Sequence, residues 1–265
     1  MGVTTLNNKI FVVYYESSFI VVYMSQEPYT RLPNIPINGL KYPSVIAAGS
    51  SCLYVSDVGA IWRVKAADSK VDQWLSGVKA ASVSVTSEEK LVLLVWVDVQ
   101  GSVEERTLSW HCEIHIYSPG AVKETVIKLS RDIIGPLSAV MTQRKTFIVS
   151  YGLTWHEMNR VCEVDMTGRT LKAFGSAPGK AVGQLNYPRH VSLDNEERII
   201  VADTRNRRVL LLNKQLMLQR VLVKWPHPQS PDDVGGPQRL HCDSHSGRLL
   251  VGLYSGHVDI YQLRN

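Results

Sequence analysis

Two histidines and a glutamate alternate along one short segment of the 265-residue chain and are its strongest candidate for metal chemistry. On a β-strand alternate side chains share a face, so His111, Glu113 and His115 would lie side by side. Two imidazoles and a carboxylate are ligands that zinc accepts. No fourth ligand is indicated, and Cys112 and Ile114 between them suit a buried face. We therefore expect an ordinary strand surface here and no metal site.

Motifs for catalysis are absent from the sequence. There is no G-x-S-x-G elbow, no P-loop and no cysteine within a recognisable nucleophile signature. The β-rich runs from which catalytic residues would have to come are small, hydroxylic or apolar, with acids only at the ends of two, so they supply too few carboxylates to hold a metal. We therefore predict a protein that is not an enzyme, with no catalytic residue, no cofactor and no small-molecule substrate.

Composition and the spacing of the cysteines limit the possible partners and the cellular compartment. With 29 Lys and Arg against 24 Asp and Glu, the net charge of +5 permits an anionic partner without requiring one. The four cysteines lie far apart and form no C-x-x-C pair, which favours a reducing, cytoplasmic location. The longest apolar stretch, residues 10–24, is interrupted by Glu16, Ser17 and Ser18, so we expect no membrane partner.

The elements that must position any site come from an internal repeat. In residues 187–223, four short β-rich runs alternate with polar turns, which predicts one four-stranded antiparallel blade. The pattern recurs six times at a mean spacing of about 47 residues. We predict an all-β fold, a six-bladed β-propeller of four-stranded antiparallel blades in a single domain, 1–265. The approximate blades are 1–39, 40–77, 78–135, 136–184, 185–236 and 237–265.

The closure of the ring is the weak point of this pattern. Only 22 residues follow Asp243, which is enough for two strands and not for three. The ring is either sealed by a three-stranded blade or completed by a strand upstream of Met1. We expect the second, with this chain as part of a longer protein and a free edge along residues 258–263.

One segment resembles a known repeat. Gly179, then the run from Gly183 to Pro188, then V-A-D-T-R-N-R-R-V at 201–209 resemble the NHL repeat. About 35 residues match specifically, and the last blade resembles that of the tripartite-motif NHL proteins. No RING, B-box or coiled coil is in this chain. The resemblance implies recognition of single-stranded or stem-loop RNA, or recruitment of protein substrates for a ubiquitin ligase.

The signature residues of this repeat have a structural interpretation. Asp203, Asn206 and Arg208 flank a tight turn between the second and third strands of their blade. Asx side chains satisfy backbone donors in such turns, and the arginine can pair with the carboxylate. We expect all three to be structural.

Binding residues are expected on one face of the propeller, which is built from the loops that enter each first strand and the turns between second and third strands. These segments are rich in Arg and aromatic residues, which suit phosphates and unpaired bases. The same types are enriched in protein–protein hot spots, and aromatic rings also fill gaps between blades. We predict an RNA-binding face, with a protein partner as the alternative. Its residues are Tyr187, Arg189, Arg205, Arg207, Lys224, Trp225, Arg239, Tyr42, Trp155 and Arg160.

Overall fold

Six antiparallel sheets form the protein in a computed structural model, which describes residues 1–98, 110–152, 158–226, 235–243 and 245–263. Blade 1 contains β1 (Gly2–Leu6), β2 (Lys9–Val13), β3 (Phe19–Met24) and β4 (Arg31–Pro36). Blade 2 contains β5 (Val45–Ala48), β6 (Cys52–Asp57), β7 (Ala60–Lys65) and β8 (Val71–Ser76). Blade 3 contains β9 (Ala80–Val85), β10 (Leu91–Asp98), β11 (Trp110–Tyr117) and β12 (Lys123–Lys128).

The second half of the chain continues the pattern. Blade 4 contains β13 (Pro136–Met141), β14 (Phe147–Tyr151), β15 (Asn159–Val164) and β16 (Thr170–Ser176). Blade 5 contains β17 (Pro188–Leu193), β18 (Ile199–Asp203), β19 (Arg208–Leu212) and β20 (Leu218–Lys224). Blade 6 contains β21 (Pro237–Asp243), β22 (Arg248–Leu253) and β23 (Val258–Gln262).

The predicted six-bladed propeller is confirmed, with one qualification in its last blade. Five sheets have four strands in sequential order, and the sixth has three in the described part of the chain. There β23 pairs only with β22, so its outer edge has no strand partner among the described residues. The ring closes through contacts between β21 and β1, as each first strand also contacts the first strand of the next blade.

Successive side chains of a β-strand point to opposite faces, and this alternation explains how the blades stack. In β18, Ile199 and Val201 pack into the apolar cluster shared with blade 4, whereas Ile200 and Ala202 pack into the cluster shared with blade 6. Strands buried on both faces read as continuous apolar runs. One such cluster lies at each of the six blade interfaces. The core is therefore a ring of inter-blade seams around an open axis.

Helical structure is minimal. In the described residues it consists of one 3-10 turn, Thr204–Asn206, between β18 and β19. No helix in this part of the chain has the length and apolarity to cross a membrane. The polar sequence between β10 and β11, for which a long hairpin loop or extended strand tips are expected, falls at residues 99–109, outside the described residues.

Candidate functional site

The end of the propeller at which the first strands begin is called the entry face, and the opposite end the exit face. Antiparallel connectivity places the turns between second and third strands on the entry face as well. Main-chain hydrogen bonds join these segments in blade 5. Arg205 N donates to Asn186 O at 3.1 Å, and Trp225 N donates to Arg207 O at 2.9 Å. Three segments that are distant in sequence thus form one surface beside Arg189.

The Asp203 carboxylate organises this part of the entry face. It is fully buried and accepts hydrogen bonds from Asn186 N at 2.7 Å, Asn206 Nδ2 at 2.8 Å and Arg208 Nε at 2.7 Å. Burial raises the pKa of the Asp203 carboxyl, and the three donors oppose that shift. Asn206 also donates to Gly179 O at 2.7 Å. The carboxylate therefore links the turn after β18 to the loop that enters blade 5.

Arg208 extends the same network. Beyond its bond to Asp203, its guanidinium donates to Lys180 O at 3.2 Å and to Gln184 O at 2.9 Å. These are main-chain carbonyls of the glycine-rich entry segment. The side chain thus holds an irregular loop against the turn, and such contacts suit the structural role expected for Asp203, Asn206 and Arg208.

Two predicted cations project from this surface. Arg205 and Lys224 are exposed, and neither side chain has a carboxylate partner among the described residues. Arg207 is half-buried in the left-handed backbone region, with φ of 53°. The blade 5 sector of the entry face therefore carries accessible positive charge.

Tyr187 and Arg189 form a stacked pair. The Arg189 guanidinium carbon lies 5.6 Å from the centroid of the Tyr187 ring, and its NH1 donates to the ring hydroxyl at 3.5 Å. Tyr187 has φ of +58°, which is unusual for a bulky residue. Asn159 Oδ1 accepts a 2.7 Å hydrogen bond from Tyr187 N, and Asn159 is fully buried. A buried side chain of blade 4 thus orients the pair.

Trp225 does not offer the open stacking surface expected of it. Its Nε1 donates to Asp259 Oδ2 at 3.1 Å, and its ring makes an edge contact with Tyr261 at 6.3 Å. The ring fills the gap between blades 5 and 6. Tyr42 is the more accessible ring of the predicted set, at 42% exposure, and lies 5.3 Å from the exposed Tyr15.

The remaining predicted positions are separate from this surface or are not described. Arg160 is half-buried in β15 opposite Tyr151. Burial raises the pKa of the Tyr151 hydroxyl, and a hydrogen bond to Arg160 opposes the shift. Trp155 lies outside the described residues.

Arg239 lines the central channel instead of the open surface. The channel has a volume of about 430 Å³ and is walled by the first strands. Arg239 is only 7% exposed, and His190 and His241 line the same wall. His241 contacts the Thr5 hydroxyl at 2.8 Å and the Thr4 hydroxyl at 3.3 Å. Sequence reasoning assigned Arg239 to an entry loop and did not identify these histidines as its neighbours.

The alternating His–Glu–His segment forms a local bridge. Glu113 lies between the two imidazoles, 2.7 Å from His115 Nε2 and 3.3 Å from His111 Nε2. Burial raises the pKa of Glu113, and the hydrogen bonds and charges of the two imidazoles together outweigh it, so the pKa is lowered. In the parts of the chain that the structure describes, no group of three potential ligands is arranged to hold a metal ion.

Comparisons with known proteins show the fold alone. No protein-family profile and no curated protein sequence matches the chain. Solved structures do. A protein of unknown function from Bacteroides caccae aligns with TM-score 0.63 at 10% identity over 92% of this chain and 82% of that one. The nidogen/laminin complex aligns with TM-score 0.61 at 13% identity over 85% of this chain and 80% of that one. The NHL resemblance is thus supported as a propeller architecture, and tripartite-motif membership is not.

The prediction that the chain is not an enzyme is wrong as a definite statement. A streptogramin B lyase structure aligns with TM-score 0.58 at 10% identity over 100% of this chain and 83% of that one. A virginiamycin B lyase from Staphylococcus aureus aligns as well, with TM-score 0.55. The same architecture therefore carries catalysis in other proteins, and absence of sequence motifs does not exclude it.

Proposed function

We propose that this propeller is a recognition module whose entry face binds RNA. The observation that carries the proposal is a difference in charge pairing between the two faces. Arg205 and Lys224 project from the entry face without a carboxylate partner among the described residues. Cations that neutralise phosphates supply most sequence-independent affinity for nucleic acid. Tyr42 and Tyr15 add exposed rings for stacking on unpaired bases.

The exit face has a different charge pattern, because its acids and bases are interleaved. Arg198 pairs with Asp194 at 2.6 Å, and Lys90 pairs with Glu124 at 2.8 Å. Lys145 pairs with Glu88. A cation that already has a carboxylate partner loses that partner when it binds a phosphate, so this face is the poorer surface for an anionic strand.

The test compares charge removal on the two faces. Fluorescence anisotropy measures the affinity for a single-stranded RNA of mixed sequence across salt concentrations. Replacing Arg205 and Lys224 by Ala should lower the slope of log affinity against log salt by about 2, since each lost phosphate contact lowers it by about 1. The control replaces Lys65 and Lys70, which are exposed on the exit face, and should leave the slope unchanged. Equal slopes in the two double variants would contradict the proposal.

A protein partner is the second candidate, and exposed apolar residues on other sectors of the entry face favour it. Tyr15, Val58 and Tyr254 are 64%, 67% and 56% exposed in turns of blades 1, 2 and 6. A propeller of this fold occurs in the nidogen/laminin complex. For this candidate, affinity capture should recover a nuclease-resistant partner that is lost when Tyr15 and Val58 are replaced by Ser. Recovery of partners that nuclease treatment removes, with none that resists it, would contradict this candidate.

A further inference from the structure

Arg239 is a buried charge whose only described partners are main-chain carbonyls. Its Nε donates to Ser44 O at 3.4 Å and its NH1 to Gln238 O at 3.3 Å. Ser44 immediately precedes β5, so the side chain reaches from blade 6 past blade 1 to blade 2 at the entry end of the channel. No carboxylate pairs with it among the described residues. Burying a charge without a counter-charge costs free energy, so the arrangement around Arg239 needs a physical reason.

A backbone irregularity aims this side chain. The register of β21 against β22 shifts between Pro237 and Arg239, which leaves Gln238 as a bulge. The equivalent shift in β17 lies between Pro188 and His190, with Arg189 as the bulged residue. β-bulges re-aim side chains and are common beside functional sites. Arg239 and His190 consequently occupy equivalent positions on adjacent inner strands, with Arg189 beside them.

The groups that face Arg239 add positive charge. Burial and then the charge of Arg189 lower the pKa of Arg239 to about 9. Burial, followed by the charges of Arg239, His241 and Arg189, lowers the pKa of His190 well below its usual value. In both groups the lowered pKa reflects burial first and neighbouring positive charge second.

The carboxylates that line the channel lie at its exit end. Glu88, Asp194 and Glu197 lie in turns of the exit face, where each has a partner of its own. Asp243 on the same strand as Arg239 is four residues away, or roughly 13 Å at the rise of a β-strand. At the entry end, the buried Asp57 carboxylate accepts hydrogen bonds from Lys41 N and Tyr42 N, and Asp203 is paired with Arg208. No described acid is therefore paired with Arg239.

We propose that the entry end of the channel binds one phosphate-type oxyanion between Arg239 and Arg189. A guanidinium fork matches two oxygens of such a group, and two guanidinium groups match its double charge. Arg239 lines the channel, whose total volume of about 430 Å³ leaves room for the anion beside its guanidinium, and Arg189 approaches from the bulge of the adjacent inner strand. This site is separate from the exposed cations proposed for RNA, and neither proposal depends on the other.

The experiment titrates the 265-residue chain with inorganic phosphate by calorimetry at constant ionic strength. We expect saturable binding of one phosphate, with at least a tenfold loss of affinity in Arg239→Ala and in Arg189→Ala. Lys41→Ala, which removes an exposed cation from the loop that enters blade 2, should change affinity less than twofold. Absence of saturable binding in the unaltered chain would overturn the proposal. Equal losses in all three variants would also overturn it, because they would indicate diffuse charge.

Two further measurements keep the result interpretable. If Arg239→Ala does not fold, Arg239→Lys retains the charge and loses the fork, and the half-buried Arg189 gives an independent readout.

Oligonucleotides of one sequence with a 5′-phosphate or a 5′-hydroxyl then distinguish the sources of the oxyanion. A preference for the 5′-phosphate that disappears in Arg189→Ala assigns the site to an RNA end, and equal affinity assigns it to a free phosphorylated molecule. Failure of phosphate binding leaves the Arg205/Lys224 salt slopes unaffected, so the two proposals fail separately.

Discussion

Arg208 and Arg239 are both largely buried arginines near the entry face, and they differ in what compensates their charge. Arg208 has the Asp203 carboxylate at 2.7 Å and two loop carbonyls. Arg239 has two carbonyls, and a second cation, Arg189, lies at the bulge of the adjacent inner strand. The first arrangement is complete within the protein. The second becomes electrostatically complete only when an anion arrives.

The difference separates a residue that holds the fold from one that is available for binding. Breaking a buried pair by removing one partner costs about 3–5 kcal/mol, because the other charge stays behind. Removing a charge that has no counter-charge leaves no unpaired ion, and the Ser44 and Gln238 carbonyls lose only long hydrogen bonds of 3.4 and 3.3 Å. The two sites should therefore respond in opposite ways to the loss of charge, and this contrast can be measured.

The largest expected effect is at Asp203. In Asp203→Ala the Arg208 guanidinium keeps its buried position without a counter-charge, and Asn186 N loses its acceptor. The free energy of unfolding in urea should fall by about 3–5 kcal/mol. Glu196→Ala removes an acid with a 66% exposed side chain and should stay within about 0.5 kcal/mol. A loss below about 1 kcal/mol at Asp203 would show that the pair does not hold the loop.

Low pH should reduce the free energy of unfolding through His241 in the channel wall, by less than the Asp203 substitution does. Burial lowers the pKa of His241 to about 4, below its ordinary value of 6.5. The unfolded chain therefore binds the proton more readily, so stability is complete above about pH 6.5 and falls as pH drops towards 4. One pKa unit is about 1.4 kcal/mol, which sets the loss at up to about 3 kcal/mol.

Melting temperatures across this pH range test the assignment in matched variants. His241→Gln should reduce the loss of stability between pH 6.5 and 4, because the neutral side chain cannot titrate. His190, whose pKa is also lowered by burial, should account for the loss that remains. His245→Gln, on an exposed turn of the same blade, should retain the profile of the unaltered chain. An unchanged profile in His241→Gln would mean that His241 is not the group responsible.

The fold could be predicted from the sequence because the patterns that specify it are local. Each blade repeats short apolar runs and polar turns, and the V-A-D-T-R-N-R-R-V segment contains Asp203 together with its partners Asn206 and Arg208. The environment of Trp225 is not local, since its ring depends on Asp259, 34 residues further on. Arg239 depends on the bulge at Gln238 and on a carbonyl 195 residues away. Neither contact leaves a pattern in the sequence, so both residues were expected on the open surface.

The smallest expected effect completes the contrast between the two arginines. Arg239→Met keeps an unbranched side chain in the channel mouth and removes the charge, so in phosphate-free buffer the free energy of unfolding should rise or stay within about 1 kcal/mol. Arg208→Met should instead lose about 3–5 kcal/mol, because Asp203 remains buried alone. Phosphate at 100 times its dissociation constant should stabilise the unaltered chain by about 2.7 kcal/mol and Arg239→Met by much less. A loss above 2 kcal/mol in Arg239→Met without phosphate would show that Arg239, like Arg208, is a structural tether, and the distinction between the two sites would no longer hold.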